Sequence, residues 1–189
     1  MLLPCKGFTE TPSPKEIAAW RQAAEQGDPE KQNLLGLLYR IGKDVGVKKD
    51  YAESAKWYLL SAKQGNAHGQ LWIGIEYALG IGVQQNSVEA VKWYQKAADQ
   101  GYADAQNNLG LAYRNGDGVR QNYEEALKWL QLAANQNNAG AQYNLGAMYL
   151  NGWGVRQDKG IAKEWFGKAC ENKDQDGCDA FRMLNEQGY

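Results

Sequence analysis

The chain has 189 residues, with 21 Lys plus Arg against 22 Asp plus Glu and a formal net charge of -1. That balance excludes a dedicated nucleic-acid binder, which carries a basic excess, and it excludes an electrostatic membrane anchor. Hydrophobic residues at 43% suffice for a core, and the single histidine, His68, excludes a multi-histidine metal site. No Gly-x-Ser-x-Gly elbow and no Gly-Lys-Ser/Thr phosphate loop occurs, and no apolar run approaches a bilayer-spanning length.

Residues 1–14 read as an extended lead. Met1-Leu2-Leu3-Pro4-Cys5 is too short for an intact secretory signal. Leu2 stands at the right distance from Cys5 for a lipoprotein cleavage box, but Pro4 precedes the cysteine and a hydrophobic region is missing. Two readings stand for Cys5: a lipid-anchor site in the trimmed remnant of an export region, or a plain thiol near a flexible terminus.

From residue 15 onward the sequence repeats. Trp57, Trp93, Trp129 and Trp165 recur at intervals of 36, and so do Gly46-Val47, Gly82-Val83, Gly118-Val119 and Gly154-Val155. Gly36, Gly74, Gly110 and Gly146 are spaced 38, 36 and 36. The two extra residues fall in the connection Ile41-Gly42-Lys43-Asp44-Val45, where a loop absorbs an insertion and a helix does not. The units run over about 28–65, 66–101, 102–137 and 138–173, with a C-terminal cap at 174–189. Each period predicts two helices. In the third, Leu109, Gly110, Ala112 and Tyr113 form one stripe, Asn115-Gly116-Asp117-Gly118 breaks it, and Ala126, Trp129, Leu130, Ala133 and Ala134 form a second. Asp50, Asn86, Asn122 and Asp158 are the expected N-caps of the second helices, and Glu53, Glu89 and Glu125 the reciprocal halves of capping boxes, with Ile161 departing. Gly65 and Gly101 fit left-handed C-terminal caps; Asn137 fits less well, and Lys173 least. A glycine in the middle of each first helix costs about 1 kcal/mol of propensity, so it implies a neighbour packed on bare backbone. One helix pair cannot cover both its faces, so the units must stack.

These residues resemble the Sel1-like repeats, relatives of the tetratricopeptide repeats. The motif Ala-Gln-x-x-Leu-Gly-x-x-Tyr stands at Ala105-Gln106 through Tyr113 and at Ala141-Gln142 through Tyr149, with Lys31 and Gly69 replacing the leading Ala in the earlier copies. Ala19-Trp20 through Gly27 looks like the second helix of a truncated first unit, and Gly177 to Leu184 like a lone capping helix whose glycine position is Arg182. The resemblance covers residues 16–189 and implies an all-α fold: an α-solenoid of antiparallel helix pairs in a right-handed superhelix, with terminal capping helices.

The same resemblance places the first helices on a concave face. By analogy with tetratricopeptide grooves, Asn33, Leu71, Asn107, Tyr143 and, in the cap, Asp179 point inward. So do Leu37, Ile75, Leu111 and Ala147, and then Arg40, Ala78, Arg114 and Leu150. Such a face suits an extended segment or a helix of a partner protein. Trp72 and Trp153 fall outside the tryptophan period; each either fills an interface or faces a partner. His68 reads as a surface residue. Asp174, Asp176 and Asp179 lack the further ligands of a calcium loop.

Cys170 occupies a slot that is Ala62, Ala98 and Ala134 elsewhere, and Cys178 one that is Gln106 and Gln142. Adjacent antiparallel helices can bring two such residues within disulfide range. The arrangement resembles the helix-linking disulfides of the Helicobacter cysteine-rich branch; two buried thiols are the alternative. A disulfide implies an oxidising compartment such as the periplasm, and cytoplasmic residence is the alternative.

The function implied is non-enzymatic protein binding in the bacterial envelope by a monomer without a cofactor. Family members include immunity proteins against type VI phospholipase toxins, envelope-assembly adaptors and host-interaction factors. Some cysteine-rich relatives bind penicillin and hydrolyse β-lactams, but the Ser-x-x-Lys motif is missing here: Ser54 and Ser61 have Lys56 and Lys63 at +2.

Overall fold

The computed structural model describes residues 12–42 and 47–189. Residues 1–11 of the lead, with Cys5, and residues 43–46, with Lys43-Asp44-Val45 of the insertion and Gly46 of the first Gly-Val pair, lie outside the described residues, while Pro14 at the end of the lead already opens the first helix. Among the described residues ten helices follow one another: α1 (Pro14–Glu25), α2 (Pro29–Ile41), α3 (Tyr51–Lys63), α4 (Ala67–Leu79), α5 (Ser87–Asp99), α6 (Ala103–Asn115), α7 (Tyr123–Ala134), α8 (Ala139–Asn151), α9 (Lys159–Glu171) and α10 (Gln175–Glu186). Among the described residues there is no strand, and no helix is long and apolar enough to cross a membrane. The architecture is an α-solenoid of helix pairs. The even-numbered helices α2 to α8 are the first helices of their units, and α3 to α9 the second.

The second helices start where the sequence places them. Asp50, Asn122 and Asp158 accept from backbone N–H groups of the first turn, and Asn86 accepts from the Glu89 amide at 3.1 Å. The capping boxes do not close there. Each N-cap amide already donates to the carbonyl of a first-helix tyrosine: Asp50 to Tyr39, Asn86 to Tyr77, Asn122 to Tyr113 and Asp158 to Tyr149. With that donor used, Glu53, Glu89 and Glu125 turn to Lys56, Lys92 and Lys128 one turn on. The box that does close is at α1, between Ser13 and Glu16.

Gly65 and Gly101 end their helices at positive φ, and Asn137 and Lys173 adopt the same region at 60° and 69°. The lysine accepts the roughly 1–2 kcal/mol that a Cβ costs there because its amide must bond the Cys170 carbonyl at 2.9 Å. The helix glycines mark helix contact. A Cβ on Gly36 would stand 2.5 Å from the Tyr58 ring, and one on Gly146 2.6 Å from Phe166. The residue facing the bare backbone is always the one after the periodic Trp: Tyr58, Tyr94, Leu130 and Phe166.

Two compact units divide the chain within α5, after Lys96. In the first, Leu35, Leu38 and Trp57 pack with Ile17 and Trp20, and Tyr58, Ile73 and Trp93 form the next cluster. In the second, Leu130, Leu145 and Met148 form one cluster, and Ala162, Phe166 and Leu184 another.

A second periodic element joins consecutive helix pairs. Gln32, Gln70, Gln106 and Gln142 are buried, and each side-chain amide donates to the carbonyl eight residues earlier: Ala24, Ala62, Ala98 and Ala134. At the last joint those two slots hold Cys178 and Cys170. They are joined by a disulfide, with 4.4 Å between the Cα atoms. A covalent bond there replaces the hydrogen bond used at every earlier joint.

Candidate functional site

In the first unit the first-helix face is built on α2 and α4. Asn33, Leu37 and Ile75 are half-buried, and Leu37 packs against the Tyr58, Ile73 and Trp93 cluster. Leu71 does not face outward: it is 3% exposed, its aliphatic side chain drawn from water into the unit where the other units carry Asn or Tyr. Arg40 is also turned inward. Its Nη1 donates to Glu76 Oε1 at 3.3 Å, and its guanidinium lies 4.8 Å over the Trp72 ring. Trp72 in turn stacks on Tyr58 at 5.9 Å. Glu76 is fully buried and also accepts from Ser54 Oγ at 2.9 Å. Burial pushes its carboxyl up to about 7, against the pull of Ser54 and Arg40.

In the second unit, α6 and α8 carry the face. Asn144 Nδ2 donates to Asn107 Oδ1 at 3.0 Å, and Asn144 Oδ1 accepts from Arg114 Nη1 at 3.2 Å. Asn107 and Arg114 are thus linked through Asn144, a residue sequence reasoning missed. Its signal was weak: the slot is Leu34, Trp72 and Asn108 in the other repeats, so no constant polar pattern marks it. Arg114 lies 5.6 Å over Trp153, which stacks on Tyr123 at 6.4 Å. Trp72 and Trp153 therefore share one role, each held between a tyrosine and an arginine. Leu111 and Ala147 are half-buried, Tyr143 tilts against Phe166 at 5.4 Å, and Leu150 packs beside the Phe166 and Leu184 core.

The remaining polar candidates have ordinary roles. His68 is exposed near the start of α4. Asp174 caps α10 by accepting from the Gly177 amide at 2.7 Å, and Asp179 pairs with Arg182 at 3.4 Å. Ser54 and Ser61 are buried, with hydroxyls donating to Glu76 and to the Pro29 carbonyl. Among the described residues no cluster of three or more His, Cys, Asp or Glu side chains is arranged to hold a metal ion.

Solved structures share this architecture. A protective antigen of uropathogenic Escherichia coli with an SLR fold is 34% identical, with a TM-score of 0.84 over 91% of this chain and 36% of that one. This chain thus spans about a third of the antigen's length. A Sel1 repeat protein from Oxalobacter formigenes is 36% identical, with a TM-score of 0.75 over 86% of this chain and 67% of that one. An immunity protein from Pseudomonas aeruginosa shares the fold at 22% identity, with a TM-score of 0.60 over 86% of this chain and 60% of that one. No curated protein matches the sequence. Residues 30–66, 67–102, 103–138 and 139–174 each match the family model described as the Sel1 repeat. With four copies spanning most of its length, the chain belongs to the Sel1 repeat family.

Proposed function

We propose that this is a non-enzymatic protein-binding repeat protein of the bacterial envelope, which takes a protein partner on its first-helix faces. The observation that carries this reading is the state of those faces. Half-buried Ile75, Leu111, Ala147 and Tyr143 alternate with amide and guanidinium groups on helices fixed by packing and caps. Rigid, partly desolvated side chains of mixed character bind a protein surface at low entropic cost. The serines that enter the β-lactam reading are spent in the core, which supports binding over catalysis. A disulfide between α9 and α10 supports residence in an oxidising compartment.

The likeness in fold to an immunity protein motivates a finer reading: the partner is a secreted toxin, of the phospholipase class, whose active site this protein covers. The likeness to a protective antigen favours a second, a surface-facing adaptor. The test begins with the partner recovered from the native envelope fraction and measured by calorimetry. Leu111→Asp is expected to weaken binding by about tenfold or more, while Lys92→Ala, on an exposed second-helix position, leaves it unchanged. If Leu111→Asp and Ile75→Asp both bind like the parent, the first-helix assignment is wrong. For the toxin reading, an equimolar amount of the protein must suppress phospholipase activity of the recovered partner.

A further inference from the structure

The position four residues after the helix glycine is arginine twice, Arg40 after Gly36 and Arg114 after Gly110. Each guanidinium lies over a tryptophan that is stacked on a tyrosine, Trp72 on Tyr58 and Trp153 on Tyr123. The two stacks differ in what completes the cation. Arg40 pairs with Glu76 of its own unit. Arg114 has only neutral acceptors: Asn144 Oδ1 at 3.2 Å on Nη1 and Asn115 Oδ1 at 3.0 Å on Nε. Among the described residues no carboxylate forms an ion pair with it. The Asp117 carboxylate acts on it from beyond ion-pair distance, and accepts from Asn115 Nδ2 at 3.1 Å.

Arg114 is half-buried, and burial pulls its guanidinium below the usual arginine range against the opposing effects of Tyr143, Tyr123 and Asp117. A partly desolvated cation without a counter-ion is where an incoming carboxylate gains most. Its water is already partly stripped, and charge-assisted hydrogen bonds are the strong class. Leu111 lies one turn back on the same helix face, and half-buried Trp153 lies under the guanidinium. A bound segment therefore meets apolar side chains beside the charge, which suits a side-chain carboxylate set among apolar residues.

Resting on the protein-binding reading above, we infer that Arg114 seats an Asp or Glu side chain of the partner, flanked by apolar residues. The partner's acid completes in the second unit the ion pair that Glu76 completes in the first.

The test is a titration of the isotope-labelled full chain. The probes are a capped peptide Leu-Glu-Leu-Glu-Leu, its Leu-Gln-Leu-Gln-Leu twin, and that twin with a free terminal carboxylate. The readouts are the Arg114 Nε–H and Trp153 indole N–H resonances. The Glu peptide is expected to bind about tenfold more tightly than its capped Gln twin, with the gap narrowing as salt is raised. Arg114→Gln is expected to remove the gap, and Arg40→Gln to leave it. Asn144→Asp is expected to remove it as well, by supplying an internal carboxylate as Glu76 does. That second variant adds a pairing rather than deleting one, so it reports even if Arg114→Gln folds poorly. Equal affinity for the capped peptides, no binding of either, or a Glu preference that survives Arg114→Gln overturns the inference. A free carboxyl terminus that binds as tightly as the Glu side chain also overturns it. In any of those cases, weakening of the native partner by Leu111→Asp would still stand for the protein-binding reading.

Discussion

Two residues after the helix glycine, the first, third and fourth repeats carry Leu38, Ala112 and Met148, and the second carries Glu76. Its carboxyl ordinarily titrates near 4.5, and burial holds it at about 7 in the folded chain. Between those values the unfolded chain has released its proton and the folded chain has kept it. Through this group, stability is therefore greatest at the acid end, falls as pH rises through that window, and is constant above it. Glu76→Gln keeps an acceptor for Ser54 and Arg40 without a titrating proton. Its melting temperature is expected to match the parent at pH 5 and to exceed it at pH 8. A variant less stable than the parent at pH 8 would show instead that the ionised pair with Arg40 is net stabilising. The helix glycines give a second test at this scale. Gly146→Ala gains propensity but drives a methyl into the buried Phe166 ring, so it is expected to cost about 1–3 kcal/mol in urea unfolding. Gly140→Ala meets nothing closer than 3.5 Å and is expected to stabilise by up to about 1 kcal/mol. If both substitutions stabilise, close approach is not what fixes the glycine series.

Joints between helix pairs follow one design. A buried glutamine reaches back eight residues to an alanine carbonyl, and a further amide, Gln64, Gln136 or Asn172, donates to the glutamine oxygen. At the α9–α10 joint the disulfide takes the place of the first bond. It bridges a sequence separation of 8 and ties down a helix whose Phe181 and Met183 are exposed. Reduction, or Cys178→Ser, is expected to lower stability by about 2–3 kcal/mol. Hydrogen exchange should quicken along residues 175–186 and stay unchanged along α6. Equal exchange in oxidised and reduced protein would mean that packing of Leu184 alone holds α10. The capping result belongs to this scale too: a capping-box sequence is present three times in the second helices. It yields to an ion pair because the tyrosine carbonyl of the preceding first helix has claimed the N-cap amide.

At the scale of the whole molecule, the sequence by itself determined the helix pairs, the N-caps of the second helices, the left-handed C-terminal caps that follow those helices and the glycine contacts. Each of these rests on local backbone chemistry or on a spacing of 36, so it repeats visibly along the chain. The fate of the polar residues on the first-helix faces was decided only by the tertiary structure. Arg40 meets Glu76, Arg114 meets Asn144, Leu71 is submerged, and Trp72 and Trp153 are clamped between tyrosine and arginine. The two hydrogen-bonded pairings join side chains 36 and 30 residues apart at slots where the repeats differ from one another. No period announces them. Whether an arginine meets a carboxylate or only neutral acceptors depends on which single side chain the next first helix brings beside it.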